Sequence, residues 1–379
     1  MKVLYVTNII SPHQIPLARQ IVELVGVDNF LFVATELPKE ERVKLGWNAD
    51  ENETWILRAR ENDAYCSQFE QWWDEADVVI CGDRRFSRMN DRLEKGKLTF
   101  YMSERWWKPP IGMMRQLHPR FALMKANFMK IAKSPHFHYL PMGLYAAADM
   151  KHIADFYGKM WQWGYFTELP NQLPTIDRED PSLHVLWAGR MLAWKRVKVL
   201  IRAFSQLQHE CRVATLTLVG FGPERIRLEK LAKKCLVDGT YRFLPQVPAH
   251  QVIELMKQHH IYVLPSNGYE GWGAVINEAM SAGCAVIASK EGGAAKSMIV
   301  HGKNGLLFNA GDWRSLAACL ELLSRNETMR RQLAEEGQRT INECWSPAIA
   351  AERFVTVCAS LLAGYPVPTF VNGPMAPCW

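Results

Sequence analysis

The chain has 379 residues, 48% of them hydrophobic and 22% charged, with a formal net charge of +6. That length predicts two to three domains, and the composition excludes a disordered or fibrous chain. Nine cysteines scattered without a CxxC pair indicate neither a disulfide framework nor a zinc site.

Short apolar runs rich in Val and Ile alternate with stretches of helical period, the signature of βαβ units and a parallel sheet. In the first half, residues 3–7, 30–34, 78–81 and 98–102 read as strands. The first of these lacks the apolar stretch and cleavage site of a signal peptide. No apolar run approaches the ~20 residues of a membrane-spanning helix, so a soluble cytosolic protein is expected. Residues 35–83 are rich in Glu and Asp, whereas no acid occurs between Glu104 and Asp149. That segment carries Arg105, Lys108, Arg115, Arg120, Lys125, Lys130 and Lys133, whose sum of +7 exceeds the net charge of the whole chain.

From Pro119 onward, Phe121, Met124, Phe128 and Ile131 fall on one helical face and Lys125, Lys130 and Lys133 on the other, with Trp106 and Trp107 just upstream. Residues 105–133 therefore predict an anionic membrane surface as a partner, with aromatic anchors. A packed helix with a solvated basic back is the plainer reading, and a nucleic-acid groove a third; no nucleic-acid partner is expected.

Residues 166–182, with three prolines and no apolar periodicity, read as an interdomain linker. Beyond it, 184–188, 215–219, 261–264, 285–288 and 306–308 read as strands. Ser346-Pro347 then supplies an N-cap and a proline at the first position of a helix over 348–362. The tail after Gly364 has four prolines among its last 15 residues and is expected to be poorly ordered. The domain division is thus 1–165, a linker 166–182, a second domain 183–345, a helix 346–364 and a tail 365–379.

The chemistry concentrates in residues 265–283. A strand ends near Leu264, a loop holding Gly271 and Gly273 follows, and a helix runs from Ala274 to a stop at Gly283. Parallel sheets bind ligands at the carboxyl ends of their strands, and glycines let backbone approach a ligand. The helix N-terminus behind them favours an anion. Glu270 faces the loop mouth, and Glu278 follows eight positions later, one turn inside the helix. Two acceptor-only carboxylates suit the hydroxyls of a sugar and a ribose, although Glu278 alone also reads as a solvated helix residue.

Glu270-Gly-Trp-Gly with Glu278-Ala resembles the E-x7-E signature of GT-B glycosyltransferases of family four. The rest of the second half resembles the family in order. Trp187-Ala-Gly-Arg190 with Lys195 resembles its diphosphate-holding Arg and Lys. Thr217-Leu-Val-Gly-Phe-Gly222 resembles the next strand and Gly-x-Gly turn, and residues 241–247 the strand and loop that read the nucleobase. The resemblance spans 184–345 and implies two Rossmann-like β/α/β domains facing each other across a cleft, the final helix crossing back to the first. It further implies catalytic roles for Glu270, Arg190 and Lys195, and donor contacts from Gly271, Trp272, Gly273, Glu278, Gly220, Gly222, Gln246 and Val247. Retention at the anomeric carbon is implied as well.

The chain also departs from the family. Arg196 follows the diphosphate Lys where Gly is common, Pro245 replaces the base-loop glycine, and Lys296 stands where a Glu often follows the Gly292-Gly293 turn. No His follows the fourth strand, where Thr99-Phe-Tyr-Met-Ser-Glu104 stands instead. His13, Tyr101 and Glu104 are the acceptor-side candidates, with loop packing the competing role for His13.

The expected protein is an α/β enzyme of GT-B fold, moving a sugar from a nucleotide diphosphate sugar to a glycan or lipid-linked acceptor in cell-surface polysaccharide or glycolipid synthesis. Arg190, Lys195 and the helix end neutralise the leaving diphosphate, so no metal or other cofactor is expected. A cytoplasmic location, peripheral on the inner membrane face, fits the basic segment. The alternatives are a sugar-nucleotide epimerase or hydrolase, and a non-catalytic sugar-nucleotide or polyanion binder.

Overall fold

Unbroken runs of Val, Ile, Leu and Phe bury both faces of a parallel sheet, and the computed structural model builds two such sheets. It describes residues 1–38, 40, 53–83, 86–108, 111–170, 182–210 and 213–379. The chain divides into two units, Met1–Thr167 with Cys344–Trp379, and Glu168–Glu343. Residues 171–181, most of the expected linker, lie outside the described residues.

The first unit holds β1 (Val3–Thr7), β2 (Phe30–Ala34), β3 (Ile56–Arg58), β4 (Val78–Cys81), β5 (Leu98–Ser103) and β6 (Phe137–Pro141) in the order β3-β2-β1-β4-β5-β6. The second holds β7 (Leu183–Ala188), β8 (Ala214–Val219), β9 (Tyr241–Leu244), β10 (Ile261–Leu264), β11 (Ala285–Ser289) and β12 (Leu306–Phe308) in the order β12-β11-β10-β7-β8-β9. All pairings are parallel. Counted within each unit, both orders are 3-2-1-4-5-6, the doubly wound order of dinucleotide-binding folds. The order reverses between β1 and β4, and between β7 and β10. Ligands sit at the carboxyl ends of strands at such a reversal.

Three features of the first unit differ from expectation. Trp106 and Trp107 are buried, and Phe128 and Ile131 enter the same core, with Phe121 and Met124 packed against it. These are therefore core contacts and not membrane anchors. Tyr101 is 2% exposed and packs edge-on against Trp106 and Phe128. Its ring belongs to the core, which withdraws it as an acceptor contact. The tail after Gly364 is ordered. Trp161 pairs with Pro377, Met375 donates its backbone N–H to the Gln162 carbonyl, and Trp379 packs edge-on on Trp161.

The helix Pro347–Ala363 opens with Ser346 Oγ accepting from the Ile349 N–H and closes at Gly364, φ +70°. It packs on the helix Ile15–Val25 and buries Ala350, Phe354 and Val357. The helical run Glu327–Ala363 spans 37 residues and, in one window, reaches a mean hydropathy of 1.3, enough by length and composition to cross a membrane. The sequence expectation missed this length because a five-residue π turn, Ile341–Trp345, joins two helices into one run.

Candidate functional site

The reversal between β7 and β10 places two loops side by side. One follows β7 and carries Gly189, Arg190 and Lys195; the other follows β10 and carries residues 265–274. The Asn267 N–H donates to the Trp194 carbonyl at 3.0 Å and pins one loop to the other. That contact brings the Lys195 Nζ within 2.6 Å of Glu270 Oε2, in a pair whose side chains are 15% and 9% exposed. The ammonium also lies 4.5 Å from the centre of the Trp194 ring. Both ions keep a partner while remaining within reach of a ligand, an arrangement that compensates part of their desolvation.

Arg190 differs from Lys195. It is exposed and makes no side-chain hydrogen bond or ion pair among the described residues. It stands on the wall of a cavity of about 140 Å³ lined also by Ala188, Gly189, Gly220, Gln246 and Val247. A guanidinium with five free donors beside such a cavity is suited to an oxyanion.

Backbone contact shapes the cavity. A Cβ on Gly220, φ +131°, would lie 1.9 Å from the Gly189 carbonyl oxygen, so only glycine lets the two loops meet. Arg225, which sequence reasoning did not select, donates to the Gly220 and Leu244 carbonyls at 2.7 and 3.0 Å and joins the ends of β8 and β9. Gly222 packs in the same way on Met191.

The loop after β10 is held from behind. Gly271 accepts from the Gly293 N–H at 3.2 Å, Trp272 accepts from the Ala294 N–H, and a Cβ on Gly293 would lie 2.3 Å from the Gly271 oxygen. Trp272 is buried and donates its indole N–H to Asn277 Oδ1 at 2.9 Å. Its side chain therefore stiffens the loop. Gly273 takes φ +88°, and the following helix is the seven-residue Val275–Ser281.

Glu278 is buried, not solvated. Tyr262 donates to the Ala188 carbonyl at 3.1 Å. Burial raises the Tyr262 hydroxyl well above its ordinary value, and the charges of Glu278 and Glu270 add to that rise. Glu270 and Glu278 thus both act on the hydroxyl that is bonded to the end of β7. Arg196 takes a left-handed φ of +54° with its guanidinium against Gly311, which explains why glycine suits that position.

The first-unit candidates stand apart from one another. The His13 N–H donates to Ser11 Oγ and its ring sits 5.9 Å from Tyr165, in the loop after β1. Glu104, just beyond β5, pairs with Lys108.

A sequence model described as "Glycosyl transferases group 1" matches residues 174–340. The N-acetyl-alpha-D-glucosaminyl L-malate synthase of Bacillus anthracis is 29% identical over 52% of this chain and 49% of its own length. The D-inositol 3-phosphate glycosyltransferase of Pseudarthrobacter chlorophenolicus is 31% identical over 45% of this chain and 42% of its own. The chain thus matches about half the length of these curated relatives or less. Among solved structures, HepE from Anabaena in complex with UDP superposes with a TM-score of 0.72 at 15% identity, over 96% of this chain and all of that one. Residues 174–340 are thus similar to the glycosyl transferases group 1 family, and the fold of the chain is GT-B.

Proposed function

We propose that the protein transfers a sugar, with retention, from a nucleotide diphosphate sugar to a glycan or lipid-linked acceptor in cell-surface polysaccharide or glycolipid synthesis, at the inner face of a membrane. The observation that carries this reading is the Lys195–Glu270 pair at the β7/β10 reversal, with the unpaired Arg190 on the same loop as Lys195 and on a cavity wall. The family match supports the donor class, and UDP in the HepE complex supports the nucleotide. A lipopolysaccharide core glycosyltransferase from Rhizobium meliloti, 28% identical over 49% of this chain, supports the acceptor class.

The reaction breaks the bond between the anomeric carbon and the phosphate oxygen, whose electron pair leaves with the diphosphate. The acceptor hydroxyl oxygen bonds to that carbon. With retention it enters on the face the diphosphate leaves, where the departing phosphate oxygen is close enough to take its proton. The main demand is stabilising the growing negative charge. Arg190 forks onto phosphate oxygens and Lys195 turns from Glu270 to supply a point charge. Glu270, released from the ammonium, accepts from sugar hydroxyls, and Glu278 accepts from the ribose. Gln246 and Val247 meet the base through their backbone. These cations stand in for a metal, so turnover survives EDTA.

Incubation with UDP- and GDP-sugars is the test. Nucleoside diphosphate released only when acceptor is present, with or without EDTA, is the expected result. Release without acceptor would identify a hydrolase, loss with EDTA would require a metal, and binding without turnover would identify a non-catalytic binder.

A further inference from the structure

The apolar residues buried at the core leave a different set facing outward. Ile111, Met113, Met114, Leu117 and Leu123 are all exposed, Leu117 by 80%, Met114 by 68% and Leu123 by 65%. Among the other described residues exposed apolar side chains are scattered, which is ordinary for a protein surface. Here five fall within thirteen residues. Four lie in or next to the 3-10 turn Gly112–Leu117, which packs on the helix Pro119–Ile131 that carries Leu123. A contiguous exposed apolar set of this kind marks an interaction surface.

The charges around it select the partner. Arg105 is committed to Asp149 and Lys108 to Glu104, so two of the seven cations are neutralised inside the unit. Arg120, Lys130 and Lys133 are exposed and have no ion pair among the described residues. Lys130 follows Leu123 by seven positions and shares its outer face of the helix, opposite Phe128 and Ile131. Exposed methionine and leucine framed by unpaired cations, with no acid in the segment, are complementary to a surface that is negative at its face and apolar beneath.

We propose that residues 111–133 dock the first unit on an anionic lipid bilayer, with Met113, Met114, Leu117 and Leu123 entering the interface and Arg120, Lys130 and Lys133 on the headgroups. The segment leaves the sheet at the carboxyl end of β5, the edge where parallel sheets meet their ligands. Docking there brings that edge to a membrane-borne acceptor. This inference rests on the lipid-linked acceptor proposed above, and it assigns the contact to the outer residues instead of the buried Trp106 and Trp107.

The test is sedimentation of the full chain with phosphatidylcholine vesicles, and with vesicles containing added phosphatidylglycerol, across a salt series. The chain is expected to bind the anionic vesicles, and binding is expected to fall as salt shortens the Debye length. Met114→Glu with Leu117→Glu, and separately Lys130→Glu with Lys133→Glu, each lower partitioning by about tenfold or more. The thermal shift given by UDP is read in the same samples and stays unchanged in both variants, which reports that they fold and keep the donor site. No binding at low salt would overturn the proposal and leave the patch to a protein partner. Equal binding to neutral vesicles, or parental partitioning in both variants, would overturn it as well. A parent that gives no UDP shift would break the donor reading and leave the vesicle result standing.

Discussion

Both units wind six strands in one order, yet their reversals are built from different chemistry. In the second unit the loop after β7 meets Gly220 and the loop after β10 meets Gly293, each backbone to backbone, and the Asn267–Trp194 bond joins the two loops, with Lys195 paired to Glu270 and Arg190 unpaired. In the first, the loop after β1 reads Asn8-Ile-Ile-Ser-Pro-His13 without a glycine, and Gln14 is held by Ser11 and Tyr5. Topology therefore fixes where a ligand can sit, and loop residues decide which ligand. Glycine and the unpaired Arg190 at the second reversal suit a compact anion. In the first, the amide of Gln14 and the hydroxyl of Tyr5 are spent on each other.

The glycine contrast gives the largest expected effect. Gly220→Ala places a Cβ inside a backbone carbonyl and should cost more than about 4 kcal/mol, or prevent folding of the second unit. A Cβ on Gly82, after β4, would meet the flexible Met102 methyl at 3.1 Å and lie in ordinary contact, 3.4 Å, with the Thr7 methyl and the Val6 carbonyl oxygen. Gly82→Ala should cost no more than about 1 kcal/mol. Urea denaturation of the two variants compares them; equal losses would mean that the loops of the second unit are not locked by backbone contact.

Acid should weaken both units through different histidines. Burial holds His138 in the first at about 3 and His259 in the second at about 4. Both lie below the unfolded value of about 6.5, so the unfolded chain takes up protons first as pH falls. The stability each neutral ring contributes is whole above that value and lost as pH falls through 4 and then 3. The loss begins below about pH 6.5 and has reached about 3 kcal/mol for each ring near pH 4.5. His138→Gln should flatten the fall in urea midpoint below neutrality, and a variant with the parental slope would contradict the assignment.

For the donor, Arg190→Ala and Lys195→Ala should each weaken nucleoside diphosphate binding by about 1.5–3 kcal/mol, while His13→Ala and Glu104→Gln leave it unchanged. Titration calorimetry across the four variants sharpens the division between units. The smallest effect concerns Arg196. Glycine adopts its left-handed backbone freely, so Arg196→Gly should stay within about 1 kcal/mol of the parent, whereas β-branched Arg196→Val should lose about 1–2 kcal/mol by thermal unfolding.

Much of this was legible in the residues. The strands of the second unit are continuous Val/Ile/Leu runs, and the Glu270–Glu278 spacing marks the loop and helix that hold both carboxylates. β3 escaped because three residues carry no period, and β6 because Phe137-His-Tyr-Leu-Pro141 reads as an interrupted run. The Lys195–Glu270 contact joins residues 75 apart, and its pin, Asn267 to Trp194, is a backbone bond that leaves no trace in side-chain type. The aromatic stripe of 121–131 has the period of a buried face and of a membrane-facing one alike. Only the packing of Trp106 and Phe128 into one core decides between them.

The most direct measurement of the central claim is a thermal-unfolding panel of the parent chain with UDP, GDP and ADP against the matching nucleosides. One diphosphate at a hundred times its dissociation constant should add about 2.7 kcal/mol of stability, with its nucleoside adding far less. No shift with any diphosphate, or an equal shift from the nucleoside alone, would contradict a diphosphate held by Arg190 and Lys195 at the β7/β10 reversal.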